Sequence, residues 1–335
     1  MNTKLLSAAF AALLALTPLS TRSEVQEIKI GRPGSVAFLP LMVMEHQKLM
    51  EKHAKAAGLG DVKASYSVFS GGTALNDALL SSNVHFASGG VTPFLILWDR
   101  TRGSTDVRGV VAMNRMQLYL NTRNASVKSI KDFGSNDRIA VLAPKSAMQA
   151  ILLQMASAKE FGESQYSKLD SITVGVPLST AAIAMMSGKG EITADFTVAP
   201  FAYNELETPG IRNVLKSYDV LGGPTTYAVA YTTSRFREEN PKTTAAYVNA
   251  VKEAIDFIKK NRAQALQIYI EISKDKTDPK LIQRMLSDPD ITFDIEPRNV
   301  LKYVEFMNKV GTVKTKPASW KDLFFPGEVH ERQGS

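Results

Sequence analysis

Five times in this chain an apolar run ends in a short loop of glycines, hydroxyls and prolines that leads into a helical stretch. The loops are Gly31-Arg32-Pro33-Gly34-Ser35, Ser70-Gly71-Gly72-Thr73, Ser88-Gly89-Gly90-Val91-Thr92-Pro93, Ala143-Pro144-Lys145-Ser146 and Pro177-Leu178-Ser179-Thr180. A helix N-terminus carries unpaired N–H groups and partial positive charge, so it attracts an anion or a carbonyl oxygen. Glycine lets a ligand approach the backbone, and Ser and Thr add hydroxyl donors. This chemistry holds a small molecule; it does not by itself transform one.

The residue types needed for catalysis or metal binding are present but not arranged for it. His46, His53, His85 and His330 show no ligand spacing, and His46 and His53 stand seven apart rather than on adjacent turns of one helix. There is no cysteine, so thiol nucleophiles and Cys-based zinc sites are excluded. No Gly-x-Ser-x-Gly elbow occurs, and Gly31-Arg32-Pro33-Gly34 is not a dinucleotide fingerprint. No cofactor is called for.

The elements that must position the loops follow from periodicity. Val25–Ile30 alternates as a half-buried strand, Leu39–Ala57 reads as a helix, Val62–Phe69 alternates again, Ala74–Leu80 is a short helix, and Val84–Ala87 is a strand before a helix over Phe94–Trp98. Two strands, Val107–Met113 and Gln117–Thr122, flank Asn114-Arg115-Met116. A second series then runs through strands at Ile139–Leu142, Ile172–Val176 and Ile192–Val198, with helices at Ala147–Phe161, Thr180–Met186 and Phe201–Glu207. Tyr227–Thr232 is a further strand. Beyond it the chain is helical: Asn240-Pro241 is a start signal, and Ala245, Val248, Val251, Ala254, Ile255 and Ile258 recur at helical spacing. Helices also cover Ala263–Ser273, Pro279–Leu286 and Pro297–Val310, and the apolar tail Trp320–Phe325 docks on the body. Alternation of strands and helices predicts an α/β fold of two lobes, each a mainly parallel sheet flanked by helices. Lobe 1 is residues 24–115 with 224–335, lobe 2 is 116–223, and the ligand cleft lies between them.

Residues 1–23 read as a secretory signal peptide: Lys4, an apolar run Leu5–Leu16 too short to span a bilayer, and small residues Thr21 and Ser23 before Glu24. Its removal takes Lys4 and Arg22 and lowers the net charge of +7 by two. The remaining basic excess is dispersed, without the Lys/Arg blocks that track nucleic acid. The absence of cysteine also excludes the lipidated cysteine of a lipoprotein anchor. The expected product is exported, soluble, periplasmic and monomeric.

Four segments carry a family resemblance: Ser70-Gly71-Gly72-Thr73-Ala74-Leu75-Asn76-Asp77-Ala78-Leu79; Arg138-Ile139-Ala140-Val141 with Ser146-Ala147-Met148-Gln149; Gly190-Glu191-Ile192 with Pro200-Phe201-Ala202; and Phe236-Arg237-Glu238-Glu239-Asn240-Pro241. By their order and spacing, from about Ile28 to Leu323, the chain resembles the periplasmic substrate-binding proteins of ABC importers in the sulfonate/taurine/nitrate group, which includes binders of thiamine-pyrimidine precursors. The resemblance implies a non-catalytic receptor that passes a small organic anion to a membrane permease with a cytoplasmic ATPase. Three positions depart from the family pattern next to its pocket: His85 and Thr193 replace Asp, and Val198-Ala199 replaces Trp-Glu. An aromatic carboxylate or a pyrimidine-type heterocycle is therefore the alternative ligand. A pyrimidine-precursor synthase of the same fold is a third reading, opposed by the signal peptide and the lack of cysteine. A partner of a membrane sensor kinase would need the same cleft.

The resemblance and the loops together nominate the ligand contacts. Gly71, Gly72 and Thr73 lead, followed by Ser146 and Gln149 at the start of the second-lobe helix, Ser35 and Phe38 after the first strand, and Gly90 and Thr92 after the third. Arg32 either forks onto an oxyanion or is a solvated loop charge. Asn114 faces the cleft or serves the crossover turn. Asp195, near the end of an apolar strand, pairs with a ligand amine or with a protein cation. Tyr227 stacks on the ligand or belongs to the core.

Overall fold

The computed structural model describes residues 23–335; the segment assigned as signal peptide otherwise lies outside the described residues. The first lobe begins with β1 (Glu27–Arg32), α1 (Leu39–Gln47), α2 (Leu49–Ala56), β2 (Lys63–Val68), α3 (Gly72–Leu80), β3 (Phe86–Gly90), α4 (Val91–Thr101) and β4 (Val107–Arg115). The second contains β5 (Leu118–Thr122), β6 (Ile139–Val141), α5 (Met148–Phe161), β7 (Thr173–Gly175), α6 (Leu178–Ser187), β8 (Ala194–Val198), α7 (Phe201–Leu206), β9 (Arg212–Lys216) and α8 (Ser217–Leu221). The chain then returns through β10 (Thr226–Thr233), α9 (Ser234–Glu239), α10 (Pro241–Lys260), α11 (Arg262–Ser273), α12 (Pro279–Leu286) and α13 (Val300–Lys309).

The sheets are ordered β2-β1-β3-β10-β4 and β7-β6-β8-β5-β9. Each is mixed rather than simply parallel, and the reason is common to both. The strand that arrives from the other lobe, β10 in one and β5 in the other, runs antiparallel to both its neighbours. The parallel part of each sheet, built from strand–helix units, brings the carboxyl ends of β1, β3 and β6 to the space between the lobes, the edge at which open α/β sheets bind ligands.

The crossovers are pinned. Met116 and Gln117, between β4 and β5, are buried. Leu118 N donates to Ser217 Oγ at 2.9 Å, and Arg115 exchanges backbone hydrogen bonds with Thr292. At the return, Thr226 N donates to Arg298 O at 3.0 Å and Arg298 N to Thr226 Oγ1 at 2.8 Å.

Local departures from the sequence expectation have identifiable causes. The helix expected over Leu39–Ala57 breaks at Lys48, whose φ of 51° is left-handed. The break lets α1 pack on α10 and α11 while α2 packs on α10 and β2. The buried face of α10 is largely the expected one, with Val251, Ala254, Ile255 and Ile258 buried and Val248 packed on the core, but its first turn differs. Ala245 is exposed, and Ala246, Tyr247 and Ala250 are buried, because Tyr247 stacks on Phe86 with ring centroids 4.0 Å apart. Asn240 does occupy the N-cap position, but its Oδ1 accepts from Val25 N; the carboxylate of Glu24 accepts from Lys242 N and Thr243 N instead. β9 and α8 had no sequence signal of their own.

The tail docks as expected. Phe324 is fully buried and Phe325 N donates to Gly109 O at 2.9 Å. A Cβ at Gly109 would lie 2.4 Å from the Phe324 ring, so glycine is required for this approach. Among the described residues no helix is long and apolar enough to cross a membrane.

Candidate functional site

Between the lobes lies a cleft of about 570 Å³, within the range of small-molecule sites. All five small-residue loops, or the residues flanking them, reach it. The first lobe contributes Ser35, Phe38, Phe69 and the turns Ser70-Gly71-Gly72 and Gly89-Gly90; the second contributes Met148, Gln149, Leu178, Ser179 and Phe201. Tyr227 from β10, with Tyr269 and Asp275 from the end of α11 and the turn after it, complete the lining.

Two features set its chemistry. One is the set of helix starts at its wall. α3 begins after Gly71, α5 after Ala147 and α6 after Pro177, and none of the three has a side-chain cap. Helices that start away from the cleft, such as α2, α8, α11 and α13, also lack a side-chain cap, while α9 and α12 are capped by Thr233 and Asp278; what distinguishes α3, α5 and α6 is that their uncapped starts lie at the cleft wall. The first-turn N–H groups at the cleft are thus left for a ligand acceptor. Gln149 adds to them. It is 3% exposed and its amide has no hydrogen-bond partner among the described residues, so the atoms it presents to the cleft are open to a ligand.

The other feature is the apolar wall of Phe38, Phe69, Leu142, Met148, Phe201 and Tyr227. Burial pushes the Tyr227 hydroxyl up to about 12, so it stays a neutral donor. The lining includes no Lys, Arg or His; its single charged side chain is Asp275. That carboxylate is fixed by the Tyr269 hydroxyl and by Thr277 N, which donates to Oδ1 at 2.9 Å. Among the described residues no group of three His, Cys, Asp or Glu is placed to hold a metal ion.

The nominated residues divide. Ser35, Phe38, Gly71, Gly72, Gly90, Gln149 and Tyr227 line the cleft. Thr73 and Ser146 line an adjoining outer groove instead, because Thr73 is one residue into α3 and exposed. Four others do not line it. Arg32 is 2% exposed and ion-paired with Glu45 at 2.8 Å, held beneath the first loop. Thr92 donates to Ser146 O at 2.8 Å, joining the lobes. Asn114 donates to Ala37 O and accepts from Ala228 N at 3.2 Å, tying β4 to the neighbouring loop and strand.

Asp195 is fully buried on β8 with Thr197 beside it and Glu205 of α7 against it. Neither carboxyl oxygen receives an N–H donor. Asn121 Nδ2 donates to Glu205 Oε2 at 2.9 Å, and Asn213 Nδ2 to Asn121 Oδ1 at 3.1 Å. Burial, then the neighbouring Glu205, raises Asp195 well above the carboxylate range; burial raises Glu205 to about 7. Both carboxyls are therefore biased toward the protonated form, and Asp195, sealed away from the cleft lining, meets neither a ligand amine nor a protein cation.

The positions at which the chain leaves the resembled family also lie away from the cleft. His85 precedes β3, at the opposite end of the strand from Gly90; its ring stacks on Phe236 at 4.7 Å and Nδ1 accepts from Lys29 N. Thr193 Oγ1 donates to Asp137 Oδ1 at 3.0 Å. Val198 and Ala199 are fully buried, and neither lines the cleft.

Sequence reasoning missed Phe69, Met148, Phe201, Tyr269 and Asp275. Phe69 and Met148 adjoin recognised loops. Tyr269 and Asp275 are distant in sequence from every loop and carried no local signal.

The NMT1-like family profile matches residues 21–272, most of the chain, and the protein belongs to that family. Its fold is that of periplasmic binding proteins. The alkanesulfonate-binding protein SsuA of Xanthomonas axonopodis pv. citri, bound to MOPS, superposes with a TM-score of 0.66 at 16% identity, over 88% of this chain and 95% of that one. The aliphatic sulphonate-binding SsuA of Escherichia coli gives 0.67 at 16% identity, over 90% and 100%. The nitrate-binding NrtA of Synechocystis PCC 6803 gives 0.68 at 14% identity, over 89% and 84%. No curated protein sequence matches the chain.

Proposed function

We propose that this protein is the periplasmic solute-binding component of an ABC importer, and that its ligand is a small organic molecule with an aromatic or heterocyclic body and an acceptor group, carbonyl or oxyanion. The observation that carries the reading is the meeting of three uncapped helix N-termini with an aromatic-walled cleft between two lobes.

Magnitudes favour such a body over a bare oxyanion. Burying a ring-sized apolar surface of about 150 Å² supplies on the order of 4 kcal/mol. A helix N-terminus adds about 1 kcal/mol. With no Lys or Arg in the lining, nitrate or a short sulfonate lacks both a counter-charge and apolar contact. Asp275 suits a ligand N–H donor at another point of the ring. Residues 24–115 with 224–335 and residues 116–223 act as the two bodies that close on the ligand, swinging about the crossovers at Met116-Gln117 and Gly222–Thr225. Such a receptor is exported, works as a monomer, delivers its solute to a permease with a cytoplasmic ATPase, and performs no chemistry on it.

Thermal-shift and calorimetric titration with benzoates, pyrimidines, alkanesulfonates, taurine and nitrate tests the ligand class. Ring compounds are expected to raise the melting temperature by mass action. Stabilisation by nitrate or taurine alone would overturn the aromatic part of the reading. No response to any class would overturn the cleft as a small-anion or heterocycle site.

A further inference from the structure

A second space, about 1030 Å³, adjoins the cleft between the same two lobes. The two share Ser70, Gly71 and Gly72 on one side and Leu142, Ala147 and Pro177 on the other. These are the turns at which α3, α5 and α6 begin, so the uncapped helix starts ring a neck that joins an inner to an outer chamber.

The chambers differ in chemistry. The inner one is aromatic and contains no cation. The outer one is bordered by α3 and α4 and carries the hydroxyls of Thr73, Ser104, Thr105 and Ser146 together with Arg100. Arg100 is exposed and makes no ion pair or hydrogen bond among the described residues. Asp77 borders the same groove without pairing to it.

The two glycines of the neck are required for different reasons. A Cβ at Gly72 would lie 2.8 Å from Pro93 Cβ, so packing demands glycine there. Gly71 has an extended backbone, φ −176°, and a Cβ would meet nothing within 4 Å. Neither strain nor packing calls for glycine at 71. What its missing side chain leaves free is the passage.

We infer that the outer groove is a second subsite, in which Arg100 and its neighbouring hydroxyls hold the anionic tail of an elongated solute whose ring sits in the cleft and whose linking acceptor passes the Gly71 neck. The inference rests on the proposed ring site and adds a class of ligand: a ring joined through a polar link, such as an amide, to a terminal carboxylate, sulfonate or phosphate. It also gives Thr73 and Ser146 a place in binding that the inner cleft does not offer. A guanidinium suits such a terminus because it can fork onto two oxygens.

The test uses benzamide, N-benzoylglycine, N-benzoyl-4-aminobutyrate and N-benzoyl-6-aminohexanoate, with the neutral methylamide of each acid, titrated calorimetrically into the wild-type protein and the Arg100→Ala and Gly71→Leu variants. At least one longer acid is expected to bind about tenfold more tightly than its methylamide. Arg100→Ala should abolish that difference, with part of it restored in Arg100→Lys. Gly71→Leu, which fills the neck, should weaken the long acids about tenfold more than it weakens benzamide. Benzamide binding with no effect of tail charge, of Arg100 or of Gly71 would overturn the outer subsite and leave the ring site standing. Absence of binding by benzamide and all the acids would overturn both.

Discussion

Two polar constellations in this protein look alike on paper and do opposite things. At the cleft, three helix starts and the Gln149 amide face an opening with no protein partner. A few residues away in the second lobe, Asp195, Glu205, Asn121 and Asn213 form a sealed cluster in which both carboxyls are fully buried and pushed toward their protonated forms. The difference is access. Unsatisfied groups beside a cavity are available to a ligand, whereas the sealed carboxyls can answer only to pH and to one another. An ionisable side chain in an apolar strand therefore does not mark a binding site unless the fold also leaves a route to it.

The largest expected effect breaks or sharpens the comparison through pH. Glu205 titrates near 7 in the folded chain because burial penalises its charge, against an ordinary value of 4.5. The folded state thus binds the extra proton, and its stabilisation is full below pH 4.5 and is lost as pH rises through about 7. That shift corresponds to roughly 3 kcal/mol. Chemical denaturation between pH 4 and 8 should show the decline, Glu205→Gln should reduce it, and Glu205→Gln combined with Asp195→Asn should flatten it. A flat wild-type profile would mean the carboxyls have a compensating partner.

The next largest effect belongs to the cleft. Gln149→Leu keeps the volume and removes an amide that the fold leaves unpaired, so stability should hold or rise slightly. Affinity for the ligand should fall about tenfold, the worth of a buried hydrogen bond. Calorimetry on this variant beside Asp195→Asn separates the two constellations: Asp195→Asn should leave affinity at neutral pH essentially unchanged. A tenfold loss in Asp195→Asn would place the sealed network within the binding site after all.

The smallest effect concerns Arg32. Arg32→Met removes the ion pair with Glu45 beneath the first loop and should cost about 1–2 kcal/mol in denaturant titrations. Binding should be unaffected. A selective loss of affinity would return Arg32 to the ligand contacts.

Much of the architecture was legible along the chain because the α/β rhythm is local. Period-two runs such as Val25–Ile30 became β1, and Asn240-Pro241 opened α10. The crossovers near Met116 and Gly222 also fell where the strand pattern broke. Less legible was whatever depended on a partner far away in sequence. Lys48 breaks a helix because α1 and α2 must each reach α10, and neither Gly nor Pro announces it. Tyr247, stacked on Phe86, turns the first part of α10 inward and leaves Ala245 exposed.

The site followed the same division. The loop residues Ser35, Gly71, Gly72, Gly90 and Gln149 were readable, since small residues before a helix have a local meaning. Arg32, Thr92, Asn114 and Asp195 were chosen for chemistry that their surroundings had already decided: an ion pair, an interlobe hydrogen bond, a strand tie and burial against a second carboxyl.

The residue order by itself determined that this chain alternates strands with helices and places uncapped, glycine-rich starts at the ends of its strands. Those properties depend on backbone sterics and on spacing within a few residues. Only the tertiary structure decided that three of those starts form a neck between two chambers, that Tyr269 and Asp275 close the inner one, and that Asp195 is sealed beneath α7. Those outcomes depend on which surfaces meet when the lobes pack, and burial and access are properties of the packed whole.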